Sequence, residues 1–181
     1  MVKRKILLFL LAALAYAGIW YLLECSKTDD AWKGSTLTPL IFMGIAFFVL
    51  FVLNLIVPFL FGRSGAKPKE LLFTALTAKV LLIPLYAFIF YCGIGLAIVP
   101  GLFVLIPILT ALDYLLLLAT SMYGISGMVF AHRKGEISTA CMGVNIALHL
   151  MFCLDVFSSV YIFFRVRRAE KIEMPPVPYR Y

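Results

Sequence analysis

Four ionisable residues, Lys79, Asp113, His149 and Asp155, stand inside otherwise apolar stretches of the chain, accompanied by the amides Asn54 and Asn145. An ionisable group in a lipid bilayer costs about 2.5–3.5 kcal/mol on insertion scales, so each is a candidate for function. At a helical rise of roughly 1.5 Å per residue, Lys79 comes level with Asn54, Tyr123 and Asn145, about 12 Å into the bilayer. Amide carbonyls and a phenol at that level would accept from its ammonium; alternatively its long stem carries the charge out to the head groups. Asp113 and Asp155 are expected on oppositely running helices at a common level near the outer boundary, about 27 Å from the cytoplasmic helix ends from which the depth of Lys79 is counted. Two facing carboxylates can share a proton and act as an acid/base pair, or hold a cation. Carboxylates at helix boundaries, turned to interfacial water, would give the same pattern. His149 follows Asn145 by four positions, so the two share a helical face. A neutral imidazole there can relay protons or simply bond a neighbouring helix.

No second histidine lies near His149, and Cys25, Cys92, Cys141 and Cys153 lack metal-ligand spacing, so neither a metal nor a cofactor is expected. A disulfide between Cys25 and Cys92 is left open. The spacing Asp113-x6-Thr120-x3-Gly124-x2-Gly127 puts small residues on one helical face, which lets membrane helices pack closely.

The elements that position these residues follow from composition. Of 181 residues, 64% are hydrophobic and 14% charged, with a mean hydropathy of +1.03. Soluble domains carry about 25% charged residues. The chain therefore reads as an all-α, polytopic transmembrane bundle whose first partner is the lipid bilayer. The net charge of +7 gathers at the ends of apolar runs, as in membrane proteins, and argues against nucleic acid. Five spans are favoured, over about 6–23, 39–61, 71–92, 109–131 and 137–164, followed by a basic, Pro-rich tail over 165–181. The first apolar run continues past Ala15-Tyr16-Ala17, as a retained anchor helix would. Between 93 and 108, Gly93, Gly95, Pro100 and Gly101 break an apolar stretch, which is expected to be re-entrant or a kinked junction of two helices. Five spans split Lys and Arg almost evenly between the two faces. A sixth span over 93–112 would restore a bias, but turn chemistry and length favour five.

Three segments carry a resemblance: Lys79-Val-Leu-Leu-Ile-Pro84, Asp113 through Ser126, and His149 through Ser158. Over about residues 78–168 the chain resembles a family of uncharacterised small multi-pass membrane proteins of Gram-positive Firmicutes. The resemblance implies a bacterial cytoplasmic membrane and no particular activity, and residues 1–70 fall outside it. The N-terminus is expected on the cytoplasmic side. The leading expectation is a non-enzymatic accessory or immunity-type protein acting by helix–helix association with other membrane proteins or with itself. The alternative is a small proton- or cation-coupled transporter or channel, and third comes an intramembrane aspartyl-type enzyme.

Overall fold

The computed structural model describes residues 2–25, 27, 34–63, 65, 67–151 and 154–172. Among them are six α-helices and no strand. In chain order these are α1 (Val2–Cys25), α2 (Gly34–Arg63), α3 (Pro68–Ile98), α4 (Ile106–Arg133), α5 (Thr139–His149) and α6 (Leu154–Ile172), with a 3-10 turn at Leu102–Leu105 before α4. The first four are long and apolar enough to cross a membrane. Their side chains show why: Phe42, Phe48, Phe90 and Tyr91 are exposed, and a bilayer is the solvent that tolerates such a surface.

Two features of α2 and α3 depend on their neighbours. Pro84 removes one intrahelical hydrogen bond from α3 and loosens the turn before it. There the Tyr16 hydroxyl of α1 donates to the Leu81 carbonyl at 2.7 Å. Pro58 sits inside α2, and the Ser126 hydroxyl of α4 donates to its carbonyl at 2.8 Å. Each hydroxyl thus finds on a neighbouring helix an acceptor that lipid could not supply.

The junction of α3 and α4 is a short turn. Gly93 and Gly95 lie within α3, and the chain turns only at 99–101, where Gly101 takes φ +87°, a left-handed conformation that suits glycine. Ile98, Val99 and Phe103 around it are exposed. Of the two arrangements expected for 93–108, the observed one is the meeting of two long helices. A continuous helix satisfies its own backbone, so glycine alone gives the chain no reason to break.

The segment 137–164, read from sequence as one span, is two helices. α5 ends at His149 and α6 starts at Leu154. They run antiparallel: Ser158 meets Asn145, and further along Arg165 meets Cys141. The hairpin sits on α3 and α4 through Leu72, Met128, Ile137, Ile162 and Val166, all buried. A second cluster, including Leu11, Phe51, Leu82, Leu85 and Leu116, joins α1 to α4. The Pro-rich stretch 173–181 lies outside the described residues.

Candidate functional site

The tip of the hairpin gathers buried polar and charged side chains. Asp155 occupies the first turn of α6, where the helix dipole favours a carboxylate. Its Oδ2 lies 3.0 Å from Lys79 Nζ of α3, and the two side chains are 3% and 0% exposed. The approach is an ion contact, not an aligned hydrogen bond, since Oδ2 has no hydrogen-bond partner by geometry. Lys79 Nζ also reaches Ser121 Oγ at 3.4 Å and the Asp155 carbonyl at 3.5 Å. Lys79 therefore points into the protein and does not snorkel to the head groups.

His149 closes α5 beside this pair. Its Nδ1 lies 3.0 Å from the Asn145 carbonyl and 2.9 Å from Ser158 Oγ. Its Nε2 lies 3.2 Å from Ser159 Oγ. Ser158 donates to Asn145 Oδ1 at 2.8 Å, so toward His149 Nδ1 it is an acceptor. The proton of a neutral imidazole then belongs on Nδ1, leaving Nε2 to accept. Ser159 has one proton and two acceptors, Nε2 and the Asp155 carbonyl at 2.7 Å. A hydroxyl in that position can hand its hydrogen bond from one to the other. Ser121 ties the set to α4 by donating to the His149 carbonyl at 2.7 Å.

Packing explains why α5 lodges here. A Cβ added at Gly124 would collide with His149 Nε2, and one at Gly127 would come within 2.9 Å of Leu72 Cγ. The small-residue face of α4 thus receives the hairpin and α3. Thr120, on the same face, is fully buried and bonds its own helix at Leu117, 2.9 Å away.

The polar layer expected around Lys79 is divided. Asn54 and Tyr123 pair with each other, the hydroxyl donating to Oδ1 at 3.0 Å, and Asn54 Nδ2 donates to the Leu50 carbonyl at 2.7 Å. Asn145 belongs to the hairpin network. Asp155, expected to face Asp113, faces Lys79, because the reversal between α5 and α6 returns it to the level of α3's charge. Asp113 Oδ1 is buried with no hydrogen-bond partner, although the residue is partly exposed. Tyr86 lies within electrostatic range of both Asp155 and Asp113, beside Thr120. Cys25 and Cys92 are not joined by a disulfide. Among the described residues no cluster of three His, Cys, Asp or Glu side chains could hold a metal. Ser121 was missed by sequence reasoning. Its one signal is its place three residues before Gly124, on the same helical face.

A family of unknown function, DUF6652, matches residues 5–168. The chain belongs to this family. The DUF6652 match extends well before residue 78, where the resemblance read from sequence begins, and takes in the helices that carry Asn54, Lys79, Ser121, His149 and Asp155. No curated protein and no solved structure matches the chain. Family membership thus covers the whole polar site without assigning it an activity.

Proposed function

We propose that this protein is a proton- or cation-coupled membrane protein of the transporter or channel class, with Lys79 and Asp155 as the coupling pair. The observation that carries the reading is the buried ion pair, set where the short helix α5 meets α6 inside an apolar bundle. Helix ends brought together within a membrane are a recurrent way to build ion sites. From the hairpin's outer face, polar groups follow one another inward through Asn145, Ser158, His149 and Ser159 to Asp155 and Lys79. Tyr86 and Asp113 continue toward the opposite end of α4. A proton or cation arriving at Asp155 would compete with Lys79 for the carboxylate and release the ammonium, which is the elementary step of a coupled site.

The embedding follows from charge. With four spans and a re-entrant α5–α6 hairpin, the start of α1 and the end of α6 fall on one face. Among the described residues that face holds Lys3, Arg4, Lys5, Arg63, Lys67, Lys69, Arg133 and Lys134, and α6 adds Arg165, Arg167, Arg168 and Lys171, against Lys27 opposite. Such an imbalance marks the cytoplasmic side of a cell membrane, and five spans did not provide it.

Reconstitution in vesicles under a pH or cation gradient, with a dye inside, tests the reading. Wild type is expected to dissipate the gradient, and the paired variant Lys79→Met/Asp155→Leu, which leaves no stranded charge, to leak no more than empty vesicles. Flux that persists in the paired variant, or wild-type vesicles as tight as empty ones, would sink it.

The second reading is the non-enzymatic accessory or immunity-type protein. It is supported by the apolar face of α2, where Phe42, Ile45, Phe48 and Ile56 are more than half exposed. On the small face of α4, Gly124 and Gly127 lie against His149 and Leu72 of this same chain, so the exposed face of α2 is the surface this reading draws on.

A further inference from the structure

The outer side of the α5–α6 hairpin carries a groove of about 610 Å³. Its walls are apolar, with Val144, Leu148, Leu154, Phe157 and Tyr161 along its length. Val144 and Phe157 are 61% and 73% exposed. Its polar floor is already satisfied, because Ser158 donates to Asn145 Oδ1. An apolar chain lying there would strand no donor.

One end of the groove is charged. Arg165 lines it there and also lines an adjoining hollow of about 470 Å³ with Tyr161, Phe164 and Arg168. Arg165 Nη1 lies 3.0 Å from the Tyr161 hydroxyl and 3.0 Å from Cys141 Sγ, both neutral as hydrogen-bond partners. Among the described residues, no carboxylate pairs with Arg165 or Arg168, whereas nearby Lys69 is matched by Glu170 at 3.3 Å. Two unneutralised guanidinium groups at the mouth of an apolar groove fit a phosphate at the head of a hydrocarbon chain.

The depth agrees. From Leu154 to Arg165, α6 rises about 16 Å, and one leaflet contributes about 15 Å to the hydrocarbon core. A chain along the groove would thus cross one leaflet with its head group at Arg165.

We propose that this groove binds an anionic glycerophospholipid, one acyl chain lying between α5 and α6 and the phosphate held by Arg165 and Arg168. The Lys79–Asp155 pair lies inward of the groove, whose floor of Asn145 and Ser158 is the outer end of the polar path. Lipid retention is read without a gradient, so it can fail while flux stands, and flux can fail while it stands.

Native mass spectrometry of the full chain in detergent, with phosphatidylglycerol and phosphatidylcholine of identical acyl chains, tests the proposal. Wild type is expected to retain phosphatidylglycerol over phosphatidylcholine by about tenfold or more. Arg165→Gln/Arg168→Gln, two changes at exposed positions, is expected to erase that preference. Val144→Trp, which fills the groove without touching charge, is expected to lower retention of both lipids, and glycerol phosphate is expected to displace neither. Equal retention of both lipids by wild type would hand the groove to another occupant, such as a partner helix, and overturn the proposal. So would a preference that survives loss of both arginines, unchanged retention by Val144→Trp, or displacement by glycerol phosphate, which would mark a bare anion site.

Discussion

Replacing Asp155 with Asn would leave the Lys79 ammonium buried without a counter-charge. The expected cost is about 3–5 kcal/mol, the usual result of breaking one half of a buried pair. Replacing both partners, as Lys79→Met/Asp155→Leu, is expected to recover most of that loss, because neither desolvation nor an orphaned charge remains. Thermal unfolding of the three proteins in one detergent checks the pair; a paired variant less stable than Asp155→Asn would show that Lys79 has another anchor. Gly124→Ala is expected to cost about 1–3 kcal/mol, since its Cβ would displace the His149 ring. At this scale the sequence identified which side chains are expensive in an apolar setting, and Lys79, His149 and Asp155 are all in the network. It could not pair them. Lys79 and Asp155 are 76 positions apart, and depth along separate helices is ambiguous until the direction of each helix is known.

The α5–α6 hairpin is the element on which that direction turns. Apolar content made 137–164 look like a single span, and its polar residues looked like a decorated helix face. In the structure those residues are where the helix stops: His149 ends α5, Asp155 opens α6, and the serines between helices close the network. Single cysteines in a cysteine-free background separate the two topologies. Lys134→Cys and Glu170→Cys are expected to label from the same side of sealed vesicles, and Ile98→Cys from the other. Position 170 labelling together with 98 would restore five spans and dismiss the hairpin. The long helices α2, α3 and α4 were readable in position because each is a nearly uncharged run closed by basic residues and glycine turns. Their ends extend beyond the expected spans, since composition says little about where a helix leaves lipid.

Across the whole molecule, in the embedding proposed above, the described basic residues other than Lys27 collect on one face, where five spans scattered them over both. This follows from the same reversal that puts Asp155 on Lys79, so charge asymmetry and site geometry stand on one structural fact. Titrating the reconstituted protein offers a check at this scale. If the pair couples proton movement, flux in wild type varies with pH, and Asp113→Asn slows it without destroying the fold, because Asp113 lies outside the Lys79–Asp155 pair and is partly exposed. A pH-independent flux, or one indifferent to Asp113, would mean that the polar path through Tyr86 is not used.

The sequence by itself determined that this chain is helical, that lipid must solvate most of it, and which charges are costly enough to need a reason. Those follow from composition and local periodicity, which each segment carries alone. The tertiary structure decided which charges meet. The small face of α4, read as a close-packing surface, receives His149, and the last apolar run folds back on itself where α3 offers Lys79 to Asp155 and α4 offers Ser121 to the His149 carbonyl. Such choices rest on contacts between segments far apart in the chain, whose energies are written in no single stretch of it.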